Sequence, residues 1–359
     1  MSRALLFCGD PGIPLAAPSG AASHLRGTAR ALAALEHEVR IATPWRSDHR
    51  GEVSCDDLTG HHHPAPLRRW PRWLRRRGEC WQARALLREA VSHGGAPDWI
   101  WERHALFIDA GLRWAADHKV PRLVEFNAPL TLERARYSGA RPTGWGARLE
   151  ARSLVNADRV VAVSSWLAQY AVDLGCKADR VRFVPNGTDL QPSTARDPTR
   201  DQLGCDGLLL GFVGGLRPWH GGVLLKALLE AMPEARMLVI GSGSTRIDHP
   251  RAIHRPWLPR DVLAAHIAAM DVSLAPMAPN AAPWFGPLKL ADYRSQGTPI
   301  VASRYGDLSE RIGAYGEVVA TTEIPDWVAA VRRQAGRRYT PIARSWLTVT
   351  REALDGLSV

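Results

Sequence analysis

Between Pro283 and Ser303 the chain reads PWFGPLKLADYRSQGTPIVAS, and much of its usable chemistry is gathered there. The Phe-Gly-Pro turn predicts entry into a short helix, Leu288–Gln296, with Gly297 placed to cap it and Pro299–Ala302 continuing as a buried parallel strand. Pro suits the first helical turn and Gly the residue past the last, so both ends are punctuated. Unpaired amides at a helix start attract anions. Asp292 lies one turn further in, and helical side chains lean back toward the N-terminus. One carboxylate is thereby set to hydrogen-bond a sugar diol while the helix start holds the attached phosphates. Gly214–Gly222, GGLRPWHGG, is a second candidate: its glycines expose backbone amides, and Arg217 and His220 add charge or hydrogen bonds. It lacks GxGxxG spacing, and by itself it reads equally well as a plain tight turn. Glu102-Arg103-His104 and Glu125-Phe126-Asn127 close or follow predicted strands, where they serve either a ligand or internal pairing. His24 has the same two readings, ligand contact or packing. His61-His62-His63 lacks the i,i+4 spacing and carboxylate company of a metal site and reads as a loop tract.

The elements that must position these residues follow a repeated pattern. A strand at Ala4–Phe7, a Gly/Pro-rich loop through Ser19-Gly20, a helix bearing Leu25, Ala29, Leu32 and Leu35, and a strand at Glu38–Thr43 form a βαβ unit. Further strands are expected at Trp99–Trp101, Arg122–Phe126, Val160–Val163 and Val181–Val184, with helices such as Ala105–His118 and Gly146–Asn156 between them. Trp45–Gly78 reads as a long irregular insertion. After the turn cluster Pro185–Asp189, polar Gln191–Gly204 reads as a linker. The pattern then restarts with a strand at Leu208–Val213, a helix at Val223–Ala231, a strand at Met237–Ile240, a helix at Asp261–Met270 and a strand at Val272–Ala275. Pro341–Leu357 closes the chain as a helix. The expected fold is α/β, with two Rossmann-like domains at 1–190 and 191–340, a terminal segment at 341–359, and ligands at the carboxyl ends of strands.

Composition narrows the class. At 359 residues and 45% hydrophobic content the chain can fill two cores. The five cysteines are dispersed, without a CxxC pair, which argues for a reducing, cytoplasmic setting and against a cysteine metal site. No secretory leader is read after Met1, and no run approaches the ~18 apolar residues of a membrane span. The net charge of +10 is fed by Arg68–Arg77, where Arg and Trp interleave. That tract reads as a solvated loop, and equally suits an anionic membrane surface or an acidic ligand. No nucleic-acid-binding signature accompanies the charge, so nucleic acid is not an expected partner.

Taken in order, four blocks resemble the family 4 glycosyltransferases. They are Pro18–His24 with Glu36–Val39, Val184–Asp189, Phe212–Gly221 and Pro287–Ser303. The glycine loop resembles a branch of that family with a Lys-Pro-Trp-His-Gly motif, here Arg217–Gly221. The resemblance implies the GT-B fold, two Rossmann-like domains facing across a cleft, with the C-terminal helix crossing back to the first. It also implies a retaining, metal-independent transfer from a nucleotide sugar, UDP- or GDP-linked, to a small-molecule, lipid or glycan acceptor. The nucleotide sugar is a substrate, and no cofactor is expected.

The same resemblance distributes the roles. Leaving-group charge would be met by Arg217, His220, Lys289 and the amides around Gly286, Pro287 and Leu288. Gly214 and Gly215 would border the donor, and Asp292 would hold its ribose. Ser19, Gly20 and His24 of the first domain would also reach the donor. Glu125 and Asn127 would attend the reacting centre, and Glu102 and Arg103 the acceptor. Backbone near Arg255–Leu258 would recognise the base. The usual Glu-x7-Glu pair stands here as Trp284 and Asp292, so only the second position keeps its acid. That loss leaves open an epimerase or hydrolase of the same fold, or a nucleotide-sugar-binding protein without turnover.

Overall fold

A computed structural model describes residues 2–17, 19–45, 51–55, 57–64, 72–138, 144–241, 243 and 245–359. It divides into two compact units. One comprises Met1–Pro185 with Trp284–Gly286 and Trp346–Val359; the other comprises Asn186–Pro283 and Pro287–Ser345.

The first unit holds an eight-stranded sheet. Its strands are β1 (Arg3–Cys8), β2 (Glu38–Trp45), β3 (Gly51–Cys55), β4 (Leu58–Pro64), β5 (Trp99–Arg103), β6 (Arg122–Phe126), β7 (Arg159–Ala162) and β8 (Val181–Phe183). Its helices are α1 (Gly20–Ala34), α2 (Arg72–Gly94), α3 (Ala110–His118), α4 (Leu130–Ser138), α5 (Gly144–Val155) and α6 (Ser165–Asp173). The spatial order is β3-β4-β2-β1-β5-β6-β7-β8, parallel except for the β3–β4 pair. Burial on both faces explains why the central strands β1, β5 and β6 are almost wholly inaccessible. On one face Ala83, Leu86, Leu87 and Ala90 of α2 pack against Leu5, Phe7 and Ala42.

The second unit holds β9 (Leu208–Val213), β10 (Ala235–Ile240), β11 (Ala252–Arg255), β12 (Val272–Ala275), β13 (Ile300–Ser303) and β14 (Gly316–Val319). Its helices are α7 (Arg196–Gln202), α8 (Gly222–Ala231), α9 (Arg260–Ala269), α10 (Lys289–Ser295), α11 (Leu308–Ile312) and α12 (Ile324–Gln334). The strand order β11-β10-β9-β12-β13-β14 is the 3-2-1-4-5-6 order of a Rossmann sheet, parallel throughout. Leu225, Leu228 and Leu229 of α8 join Trp327 and Val331 of α12 on one face. Leu263 and Ile267 of α9, Leu290 and Tyr293 of α10 and Ile312 of α11 fill the other. The last helix, α13 (Trp346–Leu354), belongs to the first unit.

Three expectations are corrected. His61–His63 lies within strand β4 rather than a loop, paired parallel to β2 and antiparallel to β3. The supposed insertion Trp45–Gly78 contains β3, β4 and the start of α2, which takes in Arg72–Arg77; Arg68–Pro71 lies outside the described residues. Gln191–Gly204 is not a free linker. The chain enters the second unit at Asn186, where the Thr188 amide donates to Arg344 O (2.8 Å) and Leu190 is buried in that unit's core. No helix among the described residues is long and apolar enough to cross a membrane.

α13 is fastened to α1 by Trp346, whose indole stacks on the His24 ring at 4.4 Å. The approach requires a glycine at position 27: a Cβ there would lie 2.3 Å from Trp346 Cδ1. Gly27→Ala should therefore destabilise the protein by about 1–2 kcal/mol in urea unfolding, although alanine is the better helix former by about 1 kcal/mol. A neutral result would mean that the indole shifts freely.

Candidate functional site

The carboxyl ends of β9 and β12 part after pairing only at Leu210–Val272 and Gly211–Ser273. In the fork between them sits the Tyr293 hydroxyl, accepting from Val213 N–H (2.9 Å) and donating to Leu274 O (3.2 Å). This contact pins α10, one turn of which carries Lys289, Asp292 and Tyr293.

Beyond β9 the chain turns at Gly214, whose φ of 123° is closed to most side chains. Lys289 Nζ lies beneath that turn and 3.6 Å from the centroid of the Phe212 ring. The side chain is buried, and among the described residues its ammonium has no ion-pair or hydrogen-bond partner. Burial pushes it down to about 7. His220, half-buried in the 3₁₀ turn Pro218–His220, is pushed down to about 3, first by burial and then by the charge of Lys289. Its Nδ1 lies 2.8 Å from Gly215 O and 3.3 Å from Arg217 N; the closer carbonyl places the proton on Nδ1. His220 is thus neutral near pH 7, and the resident cation of the loop is Lys289 together with exposed Arg217.

Asp292 is buried, with Oδ1 accepting from Thr188 Oγ1 (2.6 Å) and from Arg260 NH2 (3.2 Å). Arg260 also pairs with Asp189. Burial pushes the Asp292 carboxyl up, and Arg260 and Thr188 oppose that rise. Thr188, Asp189, Arg260 and Tyr293 are the site residues that sequence reasoning missed. The Thr188-Asp189 turn was visible as a block, but its pairing with a residue over a hundred positions away was not.

The expected anion cradle is divided. Helix α10 starts at Lys289, one residue later than expected, and Leu288 precedes it in helical conformation. Pro287 O accepts from Arg311 NH2 at 3.3 Å. Gly286 belongs to the first unit, where a Cβ would lie 2.7 Å from Val163 O. Trp284 is likewise buried there, its carbonyl accepting from Ser164 Oγ (3.1 Å) and its ring 5.4 Å from Trp166.

In the first unit the predicted polar residues gather around one carboxylate. Glu125, buried at the end of β6, accepts from Arg103 NH1, Asn127 Nδ2 and Trp101 Nε1 and pairs with His24 Nε2 at 3.2 Å. Burial alone would raise its carboxyl; the charges of His24 and Arg103 and the hydrogen bonds overcome this and hold it well below the usual range. Glu102 does not join them. It faces a buried ion pair with Arg122, which also bonds the Ser153 carbonyl, so its expected acceptor role has no accessible carboxylate to rest on. Arg103 is committed to Glu125 in the same way. Ser19 Oγ caps α1 by accepting from Ala22 N (3.2 Å), and Gly20 opens that helix.

Comparisons with known proteins bear on these arrangements. The chain matches the family described as Glycosyltransferase Family 4 over residues 18–192, and that described as Glycosyl transferases group 1 over residues 207–335. It is 26% identical to D-inositol 3-phosphate glycosyltransferase of Mycobacteroides abscessus over 211 residues, 53% of this chain and 47% of that protein. The match thus spans about half the length of the curated relatives. Sucrose-phosphate synthase from Thermosynechococcus elongatus superposes with a TM-score of 0.74 at 19% identity, covering 99% of this chain and 94% of the other. Anabaena HepE, solved in complex with UDP-glucose, superposes with a TM-score of 0.69 at 15% identity, covering 98% and 95%.

The unpartnered lysine has a measurable signature. A Lys pKa lowered from about 10.5 to about 7 is a folding penalty, full below pH 7 and gone above pH 10.5, because the unfolded chain binds the extra proton in between. Lys289→Met is therefore expected to stabilise the unliganded protein, on the order of a few kcal/mol below pH 7, with the gain fading toward pH 10. Urea titrations across that range would read it, and a destabilised variant at pH 6 would overturn the burial argument.

Proposed function

The chain belongs to the family 4 glycosyltransferases and has the GT-B fold, and on that premise we propose that it transfers a sugar from a nucleotide sugar to an acceptor with retention of configuration. One observation carries the reading. Lys289 is a buried lysine with no counter-ion among the described residues, at the switch point of a Rossmann sheet, where such sheets bind their ligands. A charge left unpaired in a low-dielectric site destabilises the empty protein and is offset when an anion arrives.

In this reading the diphosphate of the donor lies on the Gly214–Gly215 turn, with Lys289 below it and Arg217 at its exposed side. Negative charge growing on the leaving phosphate as the glycosidic bond breaks would be met by cations already in place. The leaving phosphate takes the acceptor proton on the same face, so no protein nucleophile is needed. Neutral His220, with its proton on Nδ1, presents Nε2 as an acceptor for a sugar hydroxyl. Asp292, held by Thr188 and Arg260, orients the ribose through its remaining oxygen. The branch suggested by Arg217–Gly221 belongs to the same proposal, as do independence from metal and a peripheral place at a membrane for the Arg68–Arg77 tract.

Binding should carry its own proton count. At pH 8 Lys289 is mostly neutral, and an adjacent diphosphate raises its pKa, so UDP or GDP binding should take up a proton. Calorimetry in buffers of different ionisation enthalpy would detect the uptake, and Lys289→Met should abolish it while weakening nucleotide affinity about 10- to 100-fold. Turnover against UDP-, GDP- and dTDP-sugars, with the product anomer assigned by NMR, tests the reaction. Nucleotide binding without turnover would favour the second reading, a non-catalytic binder, to which the buried Trp284 at the missing acid's position lends weight. Neither binding nor turnover would remove the proposal.

A further inference from the structure

The first sheet has its own switch point. β1 and β5 are neighbours from which the strand order runs outward on either side, β2 and β4 one way and β6 and β7 the other. The chain leaving β1 at Asp10-Pro11, the chain leaving β5 at Phe107-Ile108 and helix α4 border an open cavity of about 370 Å³ there. Open α/β sheets bind ligands at this position, and the volume is that of a small-molecule site.

The walls of the cavity are built. Phe107 takes φ 68°, a left-handed conformation uncommon for a bulky residue, and its ring stacks on Trp145 at 5.0 Å. Arg134 places its guanidinium 5.7 Å from the same ring. Strain of this kind persists where the surroundings over-determine it, and it gathers at ligand sites. Tyr137 lines another part of the cavity and is partly exposed.

Charge decides the ligand class. Among the described residues, Asp10 and Glu133 line the cavity beside one cation, Arg134, and Glu79, which has a partner of its own, stands at its edge. Asp10 already accepts from Gly12 N, and Glu150, behind α4, is satisfied by His104 and by the Thr131 amide. Glu133 has no hydrogen-bond or ion-pair partner among the described residues. Burial, reinforced by Asp10 and Glu150, pushes its carboxyl up.

We propose that this cavity is the acceptor subsite and that it selects a hydroxylated ring bearing a protonated amine, an amino sugar or aminocyclitol, whose ammonium pairs with Glu133. That the ligand is an acceptor rests on the transfer reading; that the cavity binds an amine does not. A phosphorylated ring would instead meet the carboxylates of Asp10 and Glu133.

The test is direct binding to the full chain, followed by ligand-observed NMR without nucleotide. Glucosamine and 2-deoxystreptamine are the probes, with N-acetylglucosamine and glucose 6-phosphate as controls. The amines should bind about tenfold more tightly than either control, and Glu133→Gln should remove that preference. Equal binding of the N-acetylated or phosphorylated ring to the wild-type protein, which needs no variant, would overturn the proposal. So would a preference that survives in Glu133→Gln and in Asp10→Asn. UDP and GDP binding measured on the same samples separates the two readings. Amine preference without nucleotide binding removes the transfer reading and keeps the cavity, and nucleotide binding without amine preference does the reverse.

Discussion

A single phenolic hydroxyl sets the geometry of the second unit. Where β9 and β12 diverge, the Val213 amide and the Leu274 carbonyl lose their ladder partners, and Tyr293 satisfies both. Leaving either group unpaired in that buried fork would cost about 1–3 kcal/mol. Burial pushes the hydroxyl further up, so it keeps the proton that it donates. Because Tyr293 lies four residues after Lys289 and next to Asp292, the contact that closes the fork also aims the helix that carries them. The ammonium beneath Gly214 and the carboxylate beside Thr188 inherit their positions from it.

Buried charge is handled in two ways, and both units hold the satisfied kind, as Asp292 with Thr188 and Arg260 shows in the second. In the first, Glu125 is surrounded by Arg103, His24, Asn127 and Trp101, and Glu102 is matched by Arg122; these groups are complete and stiffen the strand ends. In the second, Lys289 has, among the described residues, the face of Phe212 and no counter-ion. Satisfied charges hold a framework, and the proposed ligands would meet the unsatisfied ones. Glu133 belongs to the second kind although it stands in the first unit.

Much of this was legible in the chain. The continuous apolar run Leu208–Val213 marked a buried strand, and Gly297, with φ 62°, lies just past α10 where punctuation placed it. Helix α2 escaped notice although Ala83, Leu86, Leu87 and Ala90 have helical spacing, because its arginine-rich start resembles a solvated tract. Residues 61–63 were read by side-chain type, whereas backbone pairing with β2 and β3 makes them a strand. The polar networks were least legible. His24, Arg103 and Glu125 are far apart in sequence, and nothing local in any of them announces the others. Glu102 looked like Glu125 in sequence, since each closes or nearly closes a strand; only the partner across the sheet separates their fates.

Trp284 has a consequence for how this protein can change. Its ring is enclosed by Trp166 and Phe285, and its carbonyl is held by Ser164. An acid restored at that position would leave the indole's volume empty and strand a carboxylate among aromatic rings. A carboxylate at this position is therefore closed to a single step. The neighbouring aromatics would have to be reshaped first, so the packing around Trp284 acts as a ratchet.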